Sequence, residues 1–194
     1  RHDPRQIYGL MMPELSLNVL DIVQNSVKAK ASLISISVLK DTQQRELSIS
    51  IKDNGCGMTK EQVTRVVDPF YTTRTTRKVG LGVPFFKLSA ELTGGRFHIE
   101  SEPGIGTEIS AVYCYEHIDM MPLGDMASTM VSLISVNPDI DFVYTYKKDG
   151  QGFALDTREV KTILEGLPVN SNEVLSFIRQ YIEENEVEME EPSN

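Results

Sequence analysis

Two neighbouring segments, residues 33–40 and 46–52, alternate between apolar and polar side chains. Successive side chains of a strand point to opposite faces, so this alternation predicts two β-strands that each bury one face. Apolar residues recur at helical spacing over residues 13–31, which predicts an amphipathic helix before the strands. Further helices are predicted over 61–67 and 83–92, and further strands over 97–100 and 108–115. These segments together predict a mixed α/β domain.

Charge divides the chain into two unequal parts. The sequence has 19 Lys+Arg against 28 Asp+Glu, a net charge of −9. Residues 117–194 hold 15 of those acidic residues but only 5 of the basic ones. We therefore predict an unpatterned leader over 1–11, a domain over 12–116, a small α+β module or extension over 117–184, and an acidic tail over 185–194. The acidic balance also argues against nucleic-acid binding, which needs a basic face.

The sequence shows no sign of a membrane or secretory segment. The run over 122–136 is nearly free of charge, but Gly124 and Asp125 interrupt it, so it does not predict a transmembrane helix. No charged and then apolar leader stands at the start. Two cysteines, Cys56 and Cys114, are too few for a disulfide framework and suit a reducing compartment. We expect a cytoplasmic protein that does not contact a membrane.

An Asp-x-Gly-x-Gly motif follows the second predicted strand, with Asp53, Gly55 and Gly57 as its fixed positions. Glycines let the backbone turn tightly and approach a flat ligand, because they carry no Cβ. A carboxylate at a strand end can accept a hydrogen bond from an exocyclic amine such as that of adenine. The alternatives are a surface turn and a calcium-binding loop. The calcium loop fails because Thr64 stands where its closing glutamate is needed.

Three polar residues of the first predicted helix, Asp21, Asn25 and Lys28, are spaced to lie on one face. The Asn25 amide oxygen suits Mg²⁺ that is already bound by phosphate oxygens. The Lys28 ammonium suits phosphate, and the Asp21 carboxylate can accept a proton or orient a water molecule. A solvated helix face is the alternative interpretation.

Gly80-Leu81-Gly82 opens the helix predicted over 83–92. Free N–H groups and the positive end of the helix dipole make such a position an anion site. The preceding residues 72–78 are rich in hydroxyl groups and positive charge, as a phosphate-covering lid requires. The alternative is a basic loop without a ligand.

Taken in order, these motifs resemble the N, G1, F, G2 and G3 boxes of the Bergerat-fold (GHKL) ATPases. That superfamily groups gyrase, heat-shock chaperones, histidine kinases and MutL mismatch-repair proteins. The resemblance covers residues 14–115, and its boxes are Asp21…Asn25…Lys28, Asp53-x-Gly55-x-Gly57, Asp68-Pro69-Phe70-Tyr71-Thr72-Thr73-Arg74, Gly80-Leu81-Gly82 and Gly104-Ile105-Gly106-Thr107. The later boxes look most like histidine kinases, and the earlier ones look as much like MutL.

The resemblance implies ATP and Mg²⁺ as cofactors and assigns a role to each matching residue. Asn25 would coordinate Mg²⁺, and Lys28 would contact a phosphate. Asp53 would bind the adenine amine, with the two glycines under the base and the Thr107 hydroxyl supporting the pocket. The remaining implied nucleotide-binding residues are Thr73 and Arg74 of the lid and Gly80, Leu81 and Gly82 at the phosphates. Asp21 stands where hydrolytic members carry a glutamate base, and it is one methylene shorter.

The fold that the resemblance implies is a two-layer α/β sandwich, a mixed β-sheet with helices on one face, followed by the small α+β extension. No helical hairpin with a phosphoacceptor histidine precedes the domain in this sequence, so we expect a stand-alone ATP-binding unit. It would hydrolyse ATP or phosphorylate an unidentified protein partner in trans. The alternative is a non-catalytic interaction module that ATP opens or closes.

Overall fold

The alternating segments become the strands of one sheet in the computed structural model, which describes residues 13–69 and 81–191. The elements are α1 (Leu15–Lys28), β1 (Leu33–Asp41), β2 (Glu46–Asp53), α2 (Lys60–Val66), α3 (Gly82–Leu92), β3 (Arg96–Glu102), β4 (Gly106–Cys114), α4 (Met126–Val136), β5 (Asp141–Lys148), β6 (Gln151–Asp156), α5 (Thr157–Ile163) and α6 (Asn172–Glu190). The predicted helices and strands of the first 116 residues are confirmed, with ends that differ by a few residues.

The six strands form a mixed sheet in the order β3-β4-β2-β1-β5-β6. All neighbouring pairs are antiparallel except β1 and β5, which run parallel. Alternate residues of the strands, such as Ile34 and Ile36 of β1 and Ile49 of β2, are buried in one core with the apolar stripes of α1, α3, α4 and α6. The predicted α/β fold with a mixed sheet is therefore confirmed.

Local chemistry explains several element ends. Thr59 caps α2 with a capping box, in which its side chain accepts from the Gln62 N–H while the Gln62 side chain accepts from the Thr59 N–H. Gly94 follows α3 at φ +77°, a conformation that glycine adopts without a Cβ penalty. Pro84 lies in the first turn of α3, where its missing N–H leaves no helical bond unmade.

Residues after 116 extend the same sheet. β5 pairs with β1 over eight residues, from Leu33 opposite Asp141 to Lys40 opposite Lys148. The buried face of β5 carries Phe142 and Tyr144, which share the core with α4 and α6. Of the two arrangements that the sequence left open for this part, a separate module or an extension, the structure has the extension.

The structure differs from the predicted acidic tail over residues 185–194. Helix α6 continues to Glu190, because two of its glutamates accept hydrogen bonds from tyrosines of β5. The acidic run therefore includes residues that pack on the sheet as well as solvated ones. None of the helices in the described ranges 13–69 and 81–191 is long and apolar enough to cross a membrane.

Candidate nucleotide-binding site

Asp53, the last residue of β2, is a buried carboxylate whose orientation is fixed by two donors. Its Oδ2 atom accepts a hydrogen bond of 2.6 Å from Ser26 Oγ of α1, and its Oδ1 atom accepts one of 2.8 Å from the Gly55 N–H. The side chain is only 8% exposed, and burial of a charged group is costly unless it is hydrogen-bonded. Each carboxylate oxygen still has a lone pair for another donor. The carboxylate can therefore accept one more hydrogen bond without moving.

The two glycines of the motif lie where a side chain would collide with its surroundings. A Cβ on Gly55 would come within 2.8 Å of the Ala29 Cβ atom. Gly57 has φ +66°, and a Cβ there would lie 1.9 Å from the Glu102 carbonyl oxygen. The Cys56 N–H donates to the Ala29 carbonyl oxygen at 2.9 Å, which ties the loop to the end of α1. The glycines thus allow the loop after β2 to close against α1 and the β3–β4 turn.

Thr107 faces Asp53 directly across the β2–β4 pair. Its Oγ1 atom lies 2.8 Å from Ser101 Oγ, and Ser101 Oγ in turn accepts from the Met58 N–H at 2.8 Å. Gly106, just before Thr107, has φ +141°, and a Cβ there would lie 2.0 Å from the Asp53 carbonyl oxygen. The sheet register therefore brings the Asp-x-Gly-x-Gly motif and the Gly-x-Gly-Thr motif together.

A second contact joins α1 to the start of α3. A Cβ on Gly82 would lie 2.5 Å from the Asp21 Oδ2 atom, so the Asp21 carboxylate packs against this glycine. The Asn18 side chain donates to the Gly82 carbonyl oxygen at 3.4 Å. Asp21, the predicted catalytic base, is thus a direct neighbour of the N-terminus of α3, the predicted phosphate site.

Asn25 lies one helical turn beyond Asp21. Its Nδ2 atom is buried and has no hydrogen-bond partner among the described residues, which is unusual for a buried polar atom. Lys28, three residues further along, is exposed at the end of α1. The face of α1 that carries Asp21 and Asn25 therefore presents one buried polar atom, Asn25 Nδ2, that the described residues do not satisfy.

The described side chains of this site suit a magnesium ion that is bound mainly through phosphate oxygens. They do not form a metal site by themselves. Over residues 13–69 and 81–191, no group of three His, Cys, Asp or Glu side chains could hold a metal. Mg²⁺ at nucleotide sites takes one or two protein ligands and keeps phosphate and water oxygens for the rest. A single amide oxygen from Asn25 fits that pattern.

An open cavity of about 720 Å³ lies at this end of the sheet. Its wall includes Asp53, Gly106 and Thr107. Neither Asp21 nor Asn25 contributes to the wall, whereas Ser35, Lys52 and Glu108 do. These three residues alternate with the core residues of their strands, so the cavity reaches from Asp53 onto the sheet face away from α1 and α3. The predicted lid residues Thr73 and Arg74, together with Gly80, lie outside the described residues, whereas Leu81 precedes α3 as its N-cap.

Sequence reasoning missed Ser26, although a signal was present. Ser26 stands four residues after Ile22, in line with Leu15 and Val19 on the stripe of α1 that faces the core. A hydroxyl in a buried stripe needs a partner, and a carboxylate at the end of an adjacent strand is a suitable one. Asn54 was also missed: its Oδ1 atom accepts from the Leu33 N–H at 2.9 Å and anchors the motif to β1.

Known proteins resemble part of this chain. The family described as "Histidine kinase-, DNA gyrase B-, and HSP90-like ATPase" matches residues 13–116. Sensor histidine kinase YvrG of Bacillus subtilis is 30% identical over 97 residues, 48% of this chain and 17% of that protein. Sporulation kinase E of the same organism is 36% identical over 89 residues, 45% of this chain and 12% of that protein.

Among solved structures, the N-terminal domain of a DNA repair protein matches with a TM-score of 0.50 and 16% identity. The match covers 76% of this chain and 53% of that one, and it supports the fold alone. The aligned part spans less than a fifth of the two curated relatives. Because the family match covers more than half of the chain, including α1, the Asp53 motif and Thr107, this chain belongs to the histidine kinase-, DNA gyrase B- and HSP90-like ATPases.

Proposed function

We propose that this domain binds Mg·ATP between α1, α3 and the Asp53 end of the sheet. The observation that carries the proposal is the buried Asp53 carboxylate, which Ser26 and the Gly55 N–H fix in place at the wall of the cavity. A fixed, buried acceptor distinguishes an amine from a carbonyl, because the amine donates to a remaining lone pair of the carboxylate whereas the carbonyl would face it as a second acceptor. Asp53 therefore selects the exocyclic amine of adenine.

The phosphates are placed in this proposal beside α1 and the N-terminal end of α3. The N-terminus of α3 offers free N–H groups to an anion, and the missing Cβ of Gly82 leaves room for the Asp21 carboxylate beside it. Asn25 holds the magnesium ion with its amide oxygen, and Lys28 contributes a positive charge nearby. The metal supplies charge neutralisation of the phosphates when it is bound.

The reaction that we propose is transfer of the terminal phosphoryl group to water or to a protein partner in trans. Asp21 serves as the base that accepts the proton of the attacking hydroxyl or imidazole group. Its contact with Gly82 supports this role, since it places a carboxylate beside the phosphate-binding helix end. The names of the relatives, a sensor histidine kinase and a sporulation kinase, favour a protein acceptor.

A second candidate is a non-catalytic interaction module in which ATP alone changes the partner surface. The basic composition of residues 72–78 favours it, because such a segment can close over a triphosphate without chemistry. The two candidates differ in turnover. A slow release of phosphate that Asp21→Asn abolishes, with ATP affinity retained, indicates the enzyme. Tight binding without turnover indicates the module.

Calorimetric titration with Mg·ATP tests the binding proposal. Asp53→Ala should lower ATP affinity by roughly ten- to hundredfold, the worth of one charge-assisted hydrogen bond in a buried pocket. Asp139→Ala is the matched control, since Asp139 is an exposed aspartate in the turn before β5. Equal ATP affinity in the two variants would contradict the assignment of Asp53.

A further inference from the structure

A second, smaller cavity of about 330 Å³ lies over the opposite end of the sheet, between α6 and the loop before α4. Leu47 of β2 belongs to its wall, and Asp53 stands six residues away at the other end of the same strand, roughly 20 Å along it. The volume is at the lower end of the range for small-ligand pockets, about 300–1,000 Å³. This cavity is therefore separate from the proposed nucleotide site.

One wall of the cavity is apolar and contains side chains that can change conformation. It is built from the two thioethers of Met120 and Met121, the Tyr115 ring, and Pro122 and Leu123. Methionine adapts its shape to different ligands, and an aromatic face attracts cations. The methionine side chains of this wall suit the hydrocarbon part of a small ligand, and the Tyr115 ring suits a cationic group.

The opposite wall includes Tyr146, Glu186 and Glu190. Tyr146 and the buried Tyr144 behind the wall, two residues apart on β5, donate from their hydroxyls to Glu190 and Glu186, which lie one turn apart on α6. Burial raises the pKa of both tyrosines, so their hydroxyls stay protonated and remain donors. The two glutamates are thereby aligned on the same face of α6 and directed toward the cavity.

The two glutamates differ in their cation partners. Lys40 Nζ lies 2.6 Å from a Glu190 carboxylate oxygen and 5.7 Å from the centroid of the Tyr115 ring. Lys148 Nζ lies 3.7 Å from the same carboxylate. The Lys40 ammonium group thus lies between the Glu190 carboxylate and the Tyr115 ring, an arrangement that stabilises an ammonium group in this cavity.

Glu186 has a tyrosine donor at 2.5 Å but no ion-pair partner within the described ranges of the chain. Its charged neighbours are mostly negative: Asp125, Glu183 and Glu190 all raise its pKa, in addition to the effect of burial. Arg179, the nearest cation on α6, is paired with Glu183 at 3.6 Å and donates to Ser128. A partly buried carboxylate in these surroundings favours a cation that enters the cavity.

We propose that this cavity is a binding site for a small primary ammonium compound with an apolar body. The ammonium group binds Glu186 Oε, and the apolar body packs on Met120, Met121 and Leu123. This site shares no lining residue with the cavity at Asp53.

Phenethylammonium is a suitable probe, and phenethyl alcohol is its neutral counterpart of the same shape. The full chain is labelled with ¹³C at its eight methionine methyl groups and titrated with each probe at constant ionic strength. We expect saturable shifts of the Met120 and Met121 signals with the ammonium, and affinity for the alcohol weaker by about tenfold or more. Equal affinity for the two probes, or unmoved Met120 and Met121 signals, would overturn the proposal.

Variants of two neighbouring glutamates locate the binding group. Glu186→Gln keeps an acceptor for Tyr144 but loses the charge, and it should weaken phenethylammonium binding by about tenfold. Glu188→Gln, at an exposed position of the same helix, should leave the affinity unchanged. An unchanged affinity in Glu186→Gln would also overturn the proposal. If that variant does not fold, the comparison of the two probes on the native sequence still decides the outcome.

Discussion

Ser26 of α1 donates a hydrogen bond of 2.6 Å to the Asp53 carboxylate at the end of β2. The two residues are 27 positions apart in sequence and both are buried. This bond joins the helix that carries Asn25, the predicted magnesium ligand, to the strand that carries Asp53, the residue predicted to recognise adenine. The Ser26 hydroxyl therefore adds a side-chain link between the two halves of the candidate site, beside the backbone hydrogen bond from Cys56 to Ala29.

Ser26→Ala should weaken both folding and nucleotide binding. The Asp53 carboxylate would lose one of its two donors in a buried place, which should lower the free energy of unfolding by about 1–3 kcal/mol. ATP affinity should fall roughly three- to tenfold, because the carboxylate is less well oriented. Urea unfolding and calorimetry measure the two effects. Ser132→Ala, at an exposed position of α4, is the control, and an unchanged ATP affinity in Ser26→Ala would show that the bond is structural only.

Asn25→Ala should separate stability from metal dependence. The buried Nδ2 atom has no partner among the described residues, and alanine favours a helix more than asparagine. The free energy of unfolding should therefore stay the same or rise by up to about 1 kcal/mol. The ratio of ATP affinities with Mg²⁺ and with a chelator should approach one in Asn25→Ala and stay as in the native chain in Gln24→Ala. A ratio that survives in Asn25→Ala would remove this residue from the metal site.

Truncation at the end of α6 distinguishes a packed helix from a tail. Removal of residues 185–194 takes away Glu186, the acceptor of the fully buried Tyr144. A buried hydroxyl without a partner costs about 1–3 kcal/mol, so the free energy of unfolding should fall by at least about 1 kcal/mol. Removal of residues 192–194 alone should have no effect. Equal unfolding midpoints for the two truncated chains would show that the end of α6 adds nothing to the fold.

The stability of the protein should depend on the titration of Glu186. Burial, assisted by the negative charges of Asp125, Glu183 and Glu190, raises the pKa of this carboxyl above its ordinary value of 4.5. Its contribution to stability is therefore fully present below the unfolded pKa and is lost as pH rises through the raised folded pKa.

The comparison with Glu186→Gln isolates this contribution, because glutamine does not titrate. As pH rises from about 4 to about 8, the stability of Glu186→Gln relative to the native chain should increase. The exposed Glu188→Gln should show no such trend. Urea unfolding across the pH range provides the measurement, and a flat difference between Glu186→Gln and the native chain would contradict the raised pKa.

Local patterns in the sequence predicted most of the elements but not their arrangement. Periodicity was enough for α1, β1 and β2, because each buries one face against the same core. The pairing of Ile34 with Phe142 joins residues more than one hundred positions apart, and no local pattern encodes it. The glutamates over residues 185–194 predict a solvated tail, but α6 continues to Glu190, and Tyr144 and Tyr146 donate hydrogen bonds to two of these glutamates.

The residues of the candidate site also divide into those that the sequence predicts and those that it does not. Residue types and spacing pointed to Asp53, Asn25 and Asp21, since each carries a group with recognisable chemistry. Ser26 has an ordinary side chain that acts only through its contact with Asp53, and this contact depends on how α1 lies against β2.

The central claim is that Asp53 recognises the exocyclic amine of adenine, and a base exchange tests it most directly. Inosine triphosphate differs from ATP by a carbonyl in place of that amine. Calorimetry with both nucleotides should show that the native chain prefers ATP by roughly ten- to hundredfold. Asp53→Ala should bind both nucleotides weakly and equally. If Asp53→Ala keeps the native preference for ATP, or if the native chain binds both nucleotides alike, the proposed recognition of adenine by Asp53 is wrong.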